Sequence, residues 1–180
     1  MRSAIKTISN SLIEGTHLVG AEIGVERGEN ALSILGHLPI KKLFLIDIWL
    51  PYSLEGQIYS SVETQEYLYQ LAKTSLGGLE NVEILRLDSI VASARFEPGS
   101  LDFVYIDASH DYISVLSDIA AWAPKVKTGG FVCGHDYNPR WPGVKQAAEE
   151  YAERNGFVLQ HSFNTEVEEV DDWWFVKEKG

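Results

Sequence analysis

One cysteine, Cys133, stands in 180 residues. A lone thiol excludes an internal disulfide framework and a cluster of thiolate zinc ligands. Long apolar runs are missing too: no stretch approaches the ~20 residues that a membrane-spanning helix needs. The opening residues Met1-Arg2-Ser3-Ala4-Ile5-Lys6 lack the apolar centre of a secretory signal. These absences point to a cytoplasmic chain with no membrane partner. Basic side chains are scarce: 15 Lys and Arg stand against 26 Asp and Glu, for a formal charge of −11. A nucleic-acid binder needs clustered cations to displace phosphate counterions. Here there are only Lys41-Lys42 and a scattered few near Lys125 and Lys127, so nucleic acid is not an expected partner. An anionic membrane surface is not an expected partner either, on the same ground. There is no repeat, low-complexity stretch or linker-like segment, which leaves a single domain over residues 1–180 as the expectation.

What is present is the mixture of an ordinary globular protein, 45% hydrophobic and 23% charged. Short apolar runs at Leu18–Gly24, Leu43–Asp47, Val82–Leu87, Leu101–Ile106 and Gly130–Gly134 read as strands. Near-continuous runs such as Leu43-Phe44-Leu45-Ile46 fit strands buried on both faces, as in a parallel sheet. Helical spacing lies between them. Ala31, Ile34, Leu35 and Leu38 share a stripe, as do Val115, Ile119 and Trp122, and Val144, Ala147, Ala148 and Tyr151. Glu63–Leu76 is another helix, and residues 1–13, with Ile5, Ile8 and Leu12 aligned, form a leading helix near the site entrance. Strand–helix alternation of this kind predicts a doubly wound α/β, Rossmann-like sheet with right-handed crossovers. The tail breaks the alternation. Phe157–His161 and Trp173–Val176 read as two further strands, seven in all, with only a loop between them. Such a pair closes antiparallel, so the mostly parallel sheet ends in an antiparallel hairpin. Exposed, Trp173-Trp174-Phe175 could serve a homodimer edge; in the last strand they would be buried.

After the first strand comes Gly24-Val25-Glu26-Arg27-Gly28, then a helix. Glycine lets the backbone turn tightly and approach a ligand. A dinucleotide site also needs glycine at the middle position, where pyrophosphate touches the backbone. Here that position is Glu26, whose charge would repel pyrophosphate. S-adenosylmethionine (SAM) has no phosphate and carries a sulfonium and an α-amino group, so Glu22 and Glu26 suit SAM better than NAD. By itself the loop could equally be a tight turn with no ligand. Asp47 ends the second strand, 19 residues after Gly28, where a carboxylate can accept both ribose hydroxyls; a turn or helix cap is the plainer role. Asp88-Ser89 ends the third, placed to take an adenine amino group or simply to cap the helix through Ala94. Together these ends are worth more than each singly, because ligands of open α/β sheets bind at the carboxyl ends of the strands.

Asp107 and His110 follow the fourth strand. Lys127-Thr128-Gly129-Gly130 makes a turn into Phe131-Val132-Cys133, and His135-Asp136 follow that fifth strand. Carboxylates with imidazoles can bind a divalent metal or act as acid and base; alternatively the aspartates cap helices and the histidines donate to backbone carbonyls.

The run Phe103-Val104-Tyr105-Ile106-Asp107-Ala108-Ser109-His110-Asp111-Tyr112, then Gly129-Gly130, Gly134-His135-Asp136-Tyr137 and Trp141-Pro142-Gly143-Val144-Lys145, resembles the bacterial class I methyltransferases of the methyltransferase-24 family. More distantly it is similar to metal-dependent sugar and catechol O-methyltransferases. The likeness runs from about Val19 to Tyr151, and the Asp-x-x-His-x-Tyr and Gly-His-Asp-Tyr pair is its distinctive part. The resemblance implies SAM binding by Glu22, Gly24, Gly28, Asp47, Asp88, Ser89 and Asp107. It also implies a divalent metal, magnesium or manganese, on Asp107, His135 and Asp136. His135 departs from the relatives' carboxylate, and histidine suits magnesium poorly.

Methyl transfer is an in-line displacement in which the protein aligns the acceptor and, for a hydroxyl, removes its proton. Imidazole does this near neutrality, so His110 or His135 is the expected base, with Asp107 and Asp136 positioning it. The acceptor, a small hydroxylated molecule by analogy with the relatives, would lie among Trp49–Ser61, Tyr137–Trp141 and the leading helix. Tyr52, Tyr59, Tyr137 and Trp141 could cover its face or could be packing. The rival readings are an NAD-dependent oxidoreductase and a non-catalytic SAM-binding protein.

Overall fold

The computed structural model describes residues 1–51, 53–54, 57–58, 60–162 and 172–178. In chain order its elements are α1 (Ser3–Ser11), β1 (Leu18–Ile23), α2 (Glu29–His37), β2 (Ile40–Asp47), β3 (Ser53–Leu54), β4 (Gln57–Ile58), α3 (Val62–Leu76), β5 (Val82–Arg86), α4 (Ser89–Ser93), β6 (Leu101–Ile106), α5 (Tyr112–Trp122), β7 (Val126–Gly134), α6 (Pro142–Asn155), β8 (Gln160–His161) and β9 (Trp173–Val176). A 3-10 turn at Ala123–Lys125 joins α5 to β7.

Successive strand residues point to opposite faces, and the two faces build two cores. Ala21, Ile23, Ile46, Val104, Ile106, Val132, Trp173 and Phe175 pack with α4, α5 and α6. Leu18, Leu43, Leu45, Phe103, Tyr105, Cys133 and Trp174 pack with α1, α2 and α3. Both faces are covered, which is why these strands read as continuous apolar runs.

The seven strands lie in the order β5-β2-β1-β6-β7-β9-β8. The pairs from β5 to β7 are parallel, and β9 pairs antiparallel with both β7 and β8. This is the doubly wound sheet with a terminal hairpin that the alternation predicts. The order reverses between β1 and β6, so the carboxyl ends of those neighbours diverge into a crevice.

Two details differ from the sequence expectation. Lys127–Gly130 is strand rather than turn: β7 starts at Val126, and its register against β6 shifts between Leu101 and Phe103. Gly129, at φ +81°, donates to the Lys177 carbonyl, so the glycine pair makes an irregularity inside the strand. The hairpin's first strand is only Gln160–His161, not Phe157–His161. Gly156 closes α6 in a left-handed conformation and the Phe157 amide bonds back to the Ala152 carbonyl, a helix-ending pattern that uses up Phe157. Its ring stacks on Phe175 at 4.9 Å. Trp173, Trp174 and Phe175 are buried within the chain, as their place in the last strand requires. Among the described residues no helix is long and apolar enough to cross a membrane.

Candidate active site

The switch point is built first from the backbone. Gly24 has φ +86°, and a methyl group on its Cα would overlap the Asp107 carbonyl, so the β1 and β6 ends approach as only glycine permits. Asp47 ties the following loop down. Its Oδ2 accepts from the amides of Val25 and Glu26 at 2.9 and 3.0 Å, and its Oδ1 from the Trp49 amide at 2.8 Å. The Trp49 indole donates to the Glu26 carbonyl. Glu26, Trp49 and Asp136 have φ of +53°, +45° and +62° and are the non-glycine residues in left-handed backbone among those described. Such conformations cost about 1–3 kcal/mol each and gather at functional sites. All three lie just past carboxyl ends of strands, after β1, β2 and β7.

Beneath the loop lies an acidic side chain that water does not reach. Glu22 is 1% exposed. Its Oε1 accepts from Asn30 Nδ2 at 2.8 Å, while Oε2 and Asn30 Oδ1 have no partner. Burial pushes the Glu22 pKa up to about 8, with Asp107 and Asp47 adding to it. Two orphaned acceptors, one of them a carboxylate, fit a cationic donor such as the α-ammonium of SAM. The exposed Ile48, beside Asp47, adds apolar surface where a nucleoside would rest.

At the β5 end, Asp88 is the α4 cap: its Oδ1 accepts from the amides of Ile90 and Val91. Ser89 Oγ accepts from the Trp122 indole at 2.8 Å, so its hydroxyl is engaged with α5.

Asp107 follows β6 and meets a residue that the sequence reading missed. Arg2 Nη1 donates to Asp107 Oδ2 at 2.6 Å and to the Tyr105 hydroxyl at 3.0 Å. Tyr105 donates to Asp172 Oδ1 at 2.7 Å, and Asp172 Oδ2 accepts from the Ala4 amide at the start of α1. Burial raises the Asp107 pKa, opposed by the Arg2 charge and by His135. Nothing in the local sequence of Arg2 or Asp172 signals this; the chain's two ends must meet over β6 first.

His110 Nε2 lies 2.8 Å from Asp136 Oδ2, and His135 Nδ1 lies 3.3 Å from Asp136 Oδ1. Burial works against the Asp136 charge, but hydrogen bonds from His110 and His135 more than offset it and hold its pKa well below the usual range. Burial would likewise lower His135, and the bond to Asp136 raises it instead. The His110 ring stacks on Trp141 at 4.2 Å. Asp107, His110, His135 and Asp136 line one small cleft with Ile106, Ser109, Val144 and Trp173. Asp107, His135 and Asp136 offer ligand atoms within 4.8 Å of one another. Two carboxylates and an imidazole suit manganese better than magnesium.

Of the aromatic residues expected to cover an acceptor, Trp141 reaches the cleft only through its stack on His110, which lines it. Tyr137 is 6% exposed with its hydroxyl on Glu149, which makes it packing. Tyr52 and Tyr59 lie outside the described residues.

The strand order, the acid beneath the glycine loop and the carboxylates at successive strand ends define a SAM-dependent methyltransferase of class I type. The Methyltransf_24 family model, described as a methyltransferase domain, matches residues 21–137, and the chain belongs to that family. This sets aside the dinucleotide reading. A search of curated proteins finds no significant match. Solved structures similar in fold include a Streptococcus mutans protein in complex with S-adenosylhomocysteine (SAH), at 12% identity over 97% of this chain and 95% of that one, TM-score 0.68. An rRNA methylase from Streptococcus thermophilus is 14% identical over 98% and 95%, TM-score 0.66. Spermidine synthase from Thermotoga maritima is 15% identical over 90% of this chain and 54% of that one, TM-score 0.59. The chain thus spans about half the length of that synthase.

Proposed function

We propose that this methyltransferase acts on a hydroxyl of a small molecule, and that an imidazole held by Asp136 removes the acceptor proton. The reading rests on the His110–Asp136–His135 cluster beside Asp107 at the switch point. The ionised Asp136 accepts the Nε2–H of His110 at 2.8 Å and faces His135 Nδ1 at 3.3 Å. Neutral His135 therefore keeps its Nδ1 proton on Asp136 and presents a basic Nε2; neutral His110 keeps its Nε2 proton there and presents Nδ1. That is the logic of a base oriented by a carboxylate. His135 is the better candidate, since it also stands against Asp107.

Bound SAM supplies an electrophilic methyl group on its sulfonium. Glu22 and Asn30 would hold the α-ammonium, Asp47 the ribose, and Asp88 the adenine amino group, with Gly24 and Gly28 allowing the close approach. Glu26 adds acidic charge at the lip of the loop. Alternatively, Asp107, His135 and Asp136 would hold a manganese ion, which would lower the pKa of an acceptor hydroxyl and leave His110 as the base; calorimetric titration giving no heat with manganese removes the metal from this reading. A formal charge of −11 disfavours a polyanionic acceptor.

The test is a screen of phenols, catechols and sugars with SAM, read as SAH release. Turnover is expected with a hydroxylated acceptor and should fall on the order of 100-fold or more in His135→Ala, the usual range for a lost general base. Methylation confined to nitrogen or carbon centres, or full turnover in both His110→Ala and His135→Ala, would sink the proposal.

A further inference from the structure

A tryptophan that only fills a core needs no unusual backbone, yet Trp49 has one. It is 1% exposed, and its φ of +45° lies in the left-handed region, where a bulky residue is an outlier. Such a conformation is costly and lasts only where its surroundings over-determine it. Four contacts do so here. The Trp49 amide donates to Asp47 Oδ1 at 2.8 Å, and the indole donates to the Glu26 carbonyl at 2.8 Å. The Trp49 carbonyl accepts from Arg86 Nη2 at 3.1 Å. Its ring packs on Tyr69, 4.9 Å between centroids.

Arg86 is itself well fixed. It ends β5 as the register partner of Asp47. Its Nη1 donates to Glu66 Oε2 at 2.7 Å, and its guanidinium lies 4.6 Å from the centroid of Tyr69. Glu66 and Tyr69 stand at i and i+3 on α3, on one face of that helix. A chain of bonds thus runs from α3 through Arg86 to Trp49, and from Trp49 to both Asp47 and Glu26.

Its use is visible at Asp47. An ionised carboxylate has about four lone-pair sites. The amides of Val25, Glu26 and Trp49 occupy three of them, which leaves one, on Oδ1, for a ribose hydroxyl. With a single site open, the plane of the carboxylate has to be set before the ligand arrives. The loop amides fix Oδ2, and Trp49 fixes Oδ1. The indole then returns to Glu26, whose own amide is already on Asp47. Asp47, Trp49 and Glu26 close a ring of hydrogen bonds that holds both left-handed residues.

We propose that Trp49 is a positioning residue for the cofactor, with Arg86 as its anchor: the ring it closes through Glu26 sets the Asp47 carboxylate in the orientation that takes a ribose hydroxyl. The proposal rests on the reading that places the ribose at Asp47. Neither Trp49 nor Arg86 is asked to touch the reacting atoms.

The experiment measures the Kd of SAH and of its 2′-deoxy and 3′-deoxy analogues by calorimetry, for the wild type, Trp49→Phe, Arg86→Gln and Asp47→Ala. Phenylalanine keeps most of the ring packing and removes the indole N–H. The wild type should bind one of the analogues on the order of 10-fold more weakly than SAH, as for a lost hydrogen bond to a charged group. In Trp49→Phe this ratio should shrink about fivefold, the size of one ordinary hydrogen bond, because SAH weakens more than the analogue does. A merely structural loss weakens both alike and keeps the ratio, and that result overturns the proposal. Arg86→Gln changes an exposed side chain, should shrink the ratio in the same direction, and decides the matter in the same way should Trp49→Phe not fold. Asp47→Ala is the reference in which the discrimination should vanish. If the wild type binds all three ligands alike, or Asp47→Ala discriminates as the wild type does, the ribose is not bonded at Asp47 and the underlying reading fails. If Asp47→Ala loses the discrimination while Trp49→Phe keeps it in full, only the role of Trp49 falls.

Discussion

Glu22 shows how a single side chain records what it was built to meet. Its Oε2 is buried and unbonded, an arrangement that costs stability in the free protein. A bound ammonium would satisfy it and would favour the ionised carboxylate. With a pKa near 8 in the free protein, Glu22 is largely protonated at pH 7, so cofactor binding should release close to one proton there. Calorimetry of SAH binding in buffers of different ionisation enthalpy reads that number directly. Glu22→Gln should abolish the release and weaken SAH on the order of 10- to 100-fold, the range for a hydrogen bond to a charged group. Unchanged proton release would place the α-amino group elsewhere. The sequence made Glu22, Asp47, Asp107, His110, His135 and Asp136 legible because each sits within a few residues of an apolar strand's end. Arg2, Asn30 and Asp172 carry no such mark. Arg2 and Asp172 act across more than 60 residues of chain, and only the finished fold brings them to Tyr105 and Asp107.

Among the elements, α1 depends most on a distant partner. Its N-cap residue, Arg2, makes no side-chain cap bond; the carboxylate on its first turn is Asp172, from the far end of the chain, through the Ala4 amide. Ala4, Ile5 and Ile8 bury its inner face. Asp172→Ala would strip the cap, leave the Tyr105 hydroxyl without its acceptor, and loosen the helix that delivers Arg2 to Asp107. A lost cap and a buried orphan hydroxyl together cost about 2–4 kcal/mol, to be measured by urea unfolding. Hydrogen exchange should rise in α1 before it rises in β6. A loss below about 0.5 kcal/mol would mean that apolar docking alone fixes α1. The helices followed from 3.6-residue periodicity, and the central strands from near-continuous apolar runs, because both sheet faces are covered. The periodicity failed at Phe157, where an apolar residue serves a helix cap and an aromatic stack, and at Lys127–Gly130, where a glycine pair lies inside a strand. In both places a local backbone bond outweighed the side-chain pattern.

At the scale of the whole molecule these buried acids set how stability answers to pH. Glu22 rises from 4.5 to about 8 on folding and Asp118 from 3.8 to about 6. A carboxylate raised in this way binds more protons folded than unfolded, so each destabilises the fold progressively as pH climbs from its unfolded to its folded value. His135, raised by Asp136, stabilises below its ordinary pKa and loses that contribution as pH rises through its folded value. Asp136 acts in the opposite direction: its contribution is present above the ordinary carboxylate range and is lost as pH falls through its depressed value. The growing negative charge of an acidic chain adds self-repulsion at high pH. The ligand-free protein should therefore be most stable near pH 5 and lose on the order of 4 kcal/mol by pH 8, at about 1.4 kcal/mol per pKa unit for Glu22 and Asp118 combined, after allowance for partial relaxation. Saturating SAH should reverse part of this, because a bound ammonium stabilises the ionised Glu22. The thermal shift it produces should be larger at pH 8 than at pH 6. Melting curves from pH 4.5 to 8.5, with and without SAH, decide the matter. A free protein whose Tm climbs steadily to pH 8 would mean that Glu22 is not buried unpaired. The same acid would then fail as the anchor of the cofactor, because its fit to a cation and its cost to the empty fold have one cause.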